Sequence, residues 1–209
     1  DLEANVAALG PVVDDVELVL FETETLSNLP DKPTLAALQR LADLYQLTYT
    51  VHLPLDLCPE ASHPSLPLAQ RVIRLTQPLQ PYAIVAHLDA RAPLVSGDWA
   101  KWREGSLRCL EKVGGMMGSL ERLCIENIER WPYEEMLPLL DRLPISFCLD
   151  IGHLWLQGLH VPAVFASLAL RTRTVHLHGI DPATGRDHSS LAHVPNSDRD
   201  AALDALSAQ

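Results

Sequence analysis

Five apolar segments of this chain end in the same way, and that repetition restricts the folds open to it. They are TYTVHLP (48–54), AIVAHLD (83–89), RLCIENI (122–128), PISFCLDIGH (144–153) and TRTVHLHG (172–179). Each places a His, Asp or Glu two positions after a small or β-branched residue. In a strand, alternate residues share a face. Thr50 and His52 therefore share one, as do Val85 and His87, Cys124 and Glu126, Cys148 and Asp150, and Thr174, His176 and His178. The opposite face is apolar: Val51 and Leu53, Ile84 and Ala86, Phe147 and Leu149, Val175 and Leu177. The apolar face is expected to pack on helices. The small residues fill a narrow interior, and the polar ones surround one cavity at the C-terminal strand ends.

Helical spacing appears between these segments. Leu35, Leu38, Leu41, Ala42 and Tyr45 repeat on one helical face within 33–47. Further helices are expected over 66–76, 99–120 with a break at Gly114-Gly115, 133–143, 161–170 and 199–206, and residues 2–9 read as the end of another. VELVLFE (16–22) adds a sixth strand, and the stretches after Pro54 and over 181–198 read as loops. Strands alternating with helices predict parallel βαβ units. The expected fold is α/β, a TIM-type (β/α)8 barrel, as a single domain over residues 1–209. The rival is an open doubly wound sheet, disfavoured because no Gly-rich loop follows VELVLFE. A full barrel uses about 250 residues. The first and last strands are therefore expected to be missing, either from the protein or from this chain alone.

Several inward His, Asp and Glu groups are costly to desolvate together. A divalent ion removes that cost by taking carboxylates and neutral imidazoles as ligands. Asp150 and His153, three apart where strand becomes loop, can reach one ion from a single segment. The candidate ligands are His52, His87, Glu126, Asp150, His153 and His176, with Asp187 and His188 as a further pair. Glu22, at the end of VELVLFE, and His178 are candidates for contacting substrate or orienting a ligand. Any single one of these residues has a plainer role open to it: a hydrogen-bonded core histidine, a Glu126 paired with an Arg, an Asp150 capping the following segment. His63, His160 and His193 are expected to be solvated, and Trp99, Trp102, Trp131 and Trp155 to pack in the core or at the rim.

Composition narrows the chemistry. The net charge of −11 and the absence of a basic stripe argue against a nucleic-acid partner. No apolar run reaches about 18 residues, which argues against a membrane span. DLEANVAAL has neither a basic nor an apolar signal region, and the four cysteines show no CxxC spacing, so a reduced, cytoplasmic location is expected. These features suit an enzyme for a small molecule.

The series VHLP, VAHLD, CIENI, CLDIGH and VHLHG resembles the xylose isomerase-like TIM barrels, which include endonuclease IV-type enzymes. That resemblance implies two or three divalent ions, of zinc, manganese or iron, held by the residues named above. The DH pair at 187–188 is tighter than the family's acid–histidine spacing, and the family's final Glu has no counterpart here. ELVLFE with SNLP, LTYTVHLPLDL, RVIRLTQPL, AHLD, IENI, CLDIGHL and DHSSL further resemble the cobamide-remodelling phosphodiesterases. This implies hydrolysis of the nucleotide-loop phosphodiester of a cobamide to an α-riboside and cobinamide phosphate, with Glu126, Asp150 and His176 as the catalytic set. The alternatives are a sugar isomerase or epimerase of the same superfamily, an AP endonuclease-like enzyme, and a non-catalytic ligand-binding barrel.

Overall fold

A computed structural model describes residues 1–60 and 62–208. Residue 61 of the loop expected after Pro54, and residue 209, lie outside the described residues. Among the described residues six strands form one sheet: β1 (Asp15–Val19), β2 (Thr48–His52), β3 (Ala83–Ala86), β4 (Leu123–Glu126), β5 (Ser146–Asp150) and β6 (Thr172–His176). All neighbouring pairs are parallel, and the spatial order equals the chain order. A doubly wound sheet reverses its strand order partway. This one never does, so it winds in one direction. It also curls, because Glu17 of β1 and His176 of β6 are not on paired strands yet touch at 2.9 Å. The architecture is thus a six-stranded curled part of a barrel, not a closed eight-stranded one.

The helices are α1 (Leu2–Leu9), α2 (Lys32–Tyr45), α3 (Ser65–Thr76), α4 (Arg91–Ser96), α5 (Trp99–Gly114), α6 (Leu137–Arg142), α7 (Ile151–Leu156), α8 (Val161–Leu168) and α9 (Asn196–Ser207). Their starts follow local chemistry. Asp31 and Asp98 cap α2 and α5 by accepting backbone N–H bonds from Thr34 and Lys101. None of the helices is long and apolar enough to cross a membrane among the described residues.

The outward face of the sheet lies in the main core, where Val51, Ile125, Phe147 and Leu149 are fully buried. The inward face forms a separate small layer of Ala83, Val85, Cys124 and Cys148. That division is the one expected from the two-residue alternation. Tyr49 is buried on the outward face and donates its hydroxyl to the Leu38 carbonyl of α2 at 2.7 Å, tying strand to helix. Tyr49→Phe is expected to cost about 1 kcal/mol. In a chain of this size that is a melting-point drop of about 2–4 °C, checked by thermal denaturation.

Some expectations need correction. The first strand does not run to Glu22. It stops at Val19, because the Asn28 side chain donates to the Val19 carbonyl (2.8 Å) and accepts from the Phe21 N–H (2.7 Å), turning the chain aside. The helix expected over 99–120 ends at Gly114, and the turn beyond it uses Gly118 at φ +71°. The segment expected as one helix over 133–143 is a 3₁₀ turn (Tyr133–Met136) leading into α6. The short helices α4 and α7 were not expected. Trp99 and Trp102 of α5 meet Trp131, with ring centroids 5.1 to 6.1 Å apart among the three.

Candidate metal centre

The C-terminal ends of β2 to β6 converge on Glu126, the last residue of β4, which is 2% exposed. One of its carboxylate oxygens, Oε2, lies 3.2 Å from His52 Nε2 and 3.1 Å from His87 Nε2. The other, Oε1, lies 3.1 Å from His176 Nδ1. Each ring is oriented through its second nitrogen. His52 Nδ1 meets the Leu53 carbonyl at 3.0 Å, His87 Nδ1 meets Asp56 at 3.1 Å, and His176 Nε2 meets Glu17 at 2.9 Å. A carbonyl can only accept, so His52 Nδ1 donates and its Nε2 is directed at the cavity.

Asp150 ends β5 and is fully buried. It caps α7 by accepting the His153 N–H at 2.8 Å, so its capping role and its place in the cavity coexist. Its Oδ2 lies 3.5 Å from His153 Nδ1 and 3.7 Å from His176 Nδ1. Buried Asn127 clamps β4 to β5: its Oδ1 accepts from the Asp150 N–H at 2.8 Å and its Nδ2 donates to the Asp150 carbonyl at 2.9 Å. His153 Nδ1 faces the Asn127 carbonyl at 2.9 Å. Its Nε2 is therefore turned toward Glu129 (3.7 Å) and Asp187 (3.8 Å).

His178 Nδ1 lies 2.9 Å from the His188 N–H and 3.1 Å from the Gly179 carbonyl, and its Nε2 donates to the Asp150 carboxylate at 3.1 Å. The rings of His178 and His188 stack with centroids 4.1 Å apart. Gly152 permits this arrangement, since a Cβ there would stand 2.1 Å from the His178 ring. Glu22 is elsewhere: both its oxygens bind Arg71 of α3, at 2.7 and 2.8 Å.

Four overlapping groups have one donor atom from each residue within 4.8 Å of the others: His52, His87 and Glu126; Glu126, Asp150 and His153; Glu126, Cys148 and His176; His153, His178 and His188. Two buried carboxylates stand among imidazoles, and among the described residues no Lys or Arg forms an ion pair with Glu126 or Asp150. This donor set fits divalent ions of the zinc, manganese or iron type. Glu17, Asp56, Asn127 and Glu129 complete the surroundings and were not expected from the sequence. Only Glu17 carried a legible signal, as the polar residue on the inward face of β1.

Electrostatics follow from this packing. Burial alone would raise the Glu126 pKa, but hydrogen bonds from His176, His52 and His87 hold it far below the usual carboxylate range. Burial opposes a charged His87, yet Asp56 and Glu126 raise it to about 9. His176 is likewise raised against its burial, by Asp150, Cys148, Glu126 and Glu17. At neutral pH the metal-free site therefore holds protons that an ion must displace. Titrating zinc into metal-free protein at pH 7 is expected to release at least one proton per site. The share from His87 should fade as the pH passes about 9. Calorimetry in buffers of different ionisation heats measures this, and buffer-independent heats would contradict it.

No protein-family model matches the chain, and no curated protein matches its sequence. Solved structures do match. A D-tagatose 3-epimerase-like protein aligns with TM-score 0.73 at 19% identity, over 93% of this chain and 78% of its own. Endonuclease IV from Thermus thermophilus aligns with TM-score 0.62 at 18% identity, over 89% and 75%. A xylose isomerase domain protein from Planctomyces limnophilus aligns with TM-score 0.68 at 11% identity, over 98% and 79%. At such identities the likeness is one of fold: the six-stranded curled parallel sheet and its helices resemble part of the xylose isomerase-like TIM barrels.

Proposed function

We propose that the protein is a metal-dependent phosphodiesterase whose substrate is the nucleotide loop of a cobamide. The observation that supports hydrolysis is the division of Glu126, whose two oxygens face different donor groups, Oε2 toward His52 and His87 and Oε1 toward His176. A carboxylate so placed suits a bridge between two ions, and paired ions suit in-line displacement at phosphorus. His52, His87 and Glu126 would hold one ion, Glu126, Asp150 and His176 a second, and His153, Asp187 and His188 a third. The ions would neutralise the phosphodiester and bring a water's ionisation toward neutral pH. The protein's own groups keep the ligands in place: Asp56 orients His87, Glu17 orients His176, and His178 orients Asp150. A cationic centre also offsets the repulsion between a chain of net charge −11 and an anionic substrate. The cobamide assignment rests on the sequence resemblance from ELVLFE to DHSSL.

A second reading is a sugar epimerase, favoured by the epimerase-like protein among the similar structures. Such chemistry needs one ion to polarise a carbonyl and a free acid or base to move the proton. Glu126 and Asp150 face the imidazole cluster, and Glu129, 3.7 Å from His153 Nε2, is the carboxylate open to that role. The deciding experiment incubates metal-loaded, reduced protein with adenosylcobalamin and, separately, with ketohexoses, and follows both by chromatography. Release of an α-riboside supports the first reading. Epimerised sugar without riboside release replaces it with the second.

A further inference from the structure

Cys148 lies one step below Asp150. It is two residues before Asp150 on the inward face of β5. The strand register sets it opposite Glu126 on one side and Thr174 on the other. Its side chain is fully buried, and its sulfur lies within 4.8 Å of a Glu126 oxygen and a His176 nitrogen. Cys124, the other inward cysteine, instead directs its sulfur at the Arg122 carbonyl, 3.9 Å away. Beside Cys148, the Thr174 hydroxyl is buried without a hydrogen-bond partner. A cleft of about 290 Å³ reaches Thr174, Glu17 and Thr50 from below. The sulfur thus sits between an apolar layer of Ala83, Val85 and Cys124 and the polar atoms of Glu126, His176 and Thr174.

We propose that Cys148 is itself a ligand, forming with Glu126 and His176 a floor position that takes a thiophilic divalent ion. The proposal rests on the metal-centre reading above and extends it to metal selectivity. A zinc–sulfur bond is about 2.3 Å and a zinc–nitrogen bond about 2.0 Å, so the three donors need only modest inward movement to share an ion. On binding, the thiol gives its proton to solvent and the sulfur donates a lone pair; nothing is oxidised. A thiolate shifts preference toward zinc, iron and cobalt and away from magnesium and manganese.

Cobalt(II) chloride titrated into the metal-free, reduced protein tests this. The expected spectrum has visible ligand-field bands and a near-ultraviolet sulfur-to-cobalt charge-transfer band. Cys148→Ser should lose the charge-transfer band and keep the visible ones, whereas Cys124→Ser should keep both. Visible bands without charge transfer in the wild-type protein overturn the proposal and leave the metal centre standing. No cobalt spectrum at all overturns both. If Cys148→Ser does not fold, X-ray absorption of the zinc-loaded wild-type protein decides: a sulfur scatterer at about 2.3 Å supports the ligand, and nitrogen and oxygen alone refute it.

Discussion

Glu126→Gln is expected to lower turnover by at least about a thousandfold, the upper range for loss of one buried group that acts electrostatically in a site. Both carboxylate oxygens are committed, Oε2 to His52 and His87 and Oε1 to His176. A glutamine keeps one oxygen and places an NH₂ where the other stood. Whichever way the amide turns, one imidazole group faces a donor that cannot ligate. Bound metal per chain, measured by elemental analysis, should therefore fall by at least one ion. The metal-free protein should respond to pH as well. His87 has its pKa raised from 6.5 to about 9 by Asp56 and Glu126. A raised folded-state pKa gives stability that is complete below the unfolded value and disappears as pH climbs through the folded one. The share of stability that Glu126 contributes through His87 should thus be missing from the variant below about pH 6.5, and that share of the difference should vanish above about pH 9. Wild-type activity with full metal content in the variant would remove Glu126 from the centre.

The residues around Glu126 show which physical signals are written locally in a chain. His52, His87, Cys148, Asp150 and His176 were placed by two-residue alternation, a property of each strand alone. Burial on the opposite face then set that alternation in register, as Val51, Ile84 and Leu149 are packed under the helices. Glu17 was obscured because VELVLFE is apolar enough to suggest a longer strand. Its true end depends on Asn28, nine residues beyond Val19. Asp56 and Glu129 come from loops with no period to betray them. Helix α7 has six residues, too few for helical spacing to emerge, so DIGH read as a loop although Asp150 caps a helix. The approach of β1 to β6 was not legible either: the two strands are not paired, yet Glu17 meets His176 across most of the chain.

Gly152→Ala is expected to be destabilising although helix propensity favours it. Gly152 lies in the first turn of α7, where alanine would gain about 0.5–1 kcal/mol. Its new Cβ, however, would stand 2.1 to 2.4 Å from three atoms of the His178 ring. That ring cannot give way freely. It is held by the His188 N–H on one side and by Asp150 on the other, and it stacks on His188. Overpacking of this kind costs about 1–3 kcal/mol, so the clash outweighs the propensity gain by up to about 2.5 kcal/mol. Displacing His178 also frees Asp150, and loss of such an outer hydrogen bond typically weakens metal affinity about 10–100-fold. The cause is testable by a double-mutant cycle. In a His178→Ala background the Cβ has nothing to strike, and Gly152→Ala should become neutral or mildly stabilising. A coupling of about 2 kcal/mol in chemical denaturation would tie the glycine to the histidine. Simple additivity would mean that Gly152 is needed for the backbone of α7 alone, and His178 would lose its assigned place as the group that orients Asp150.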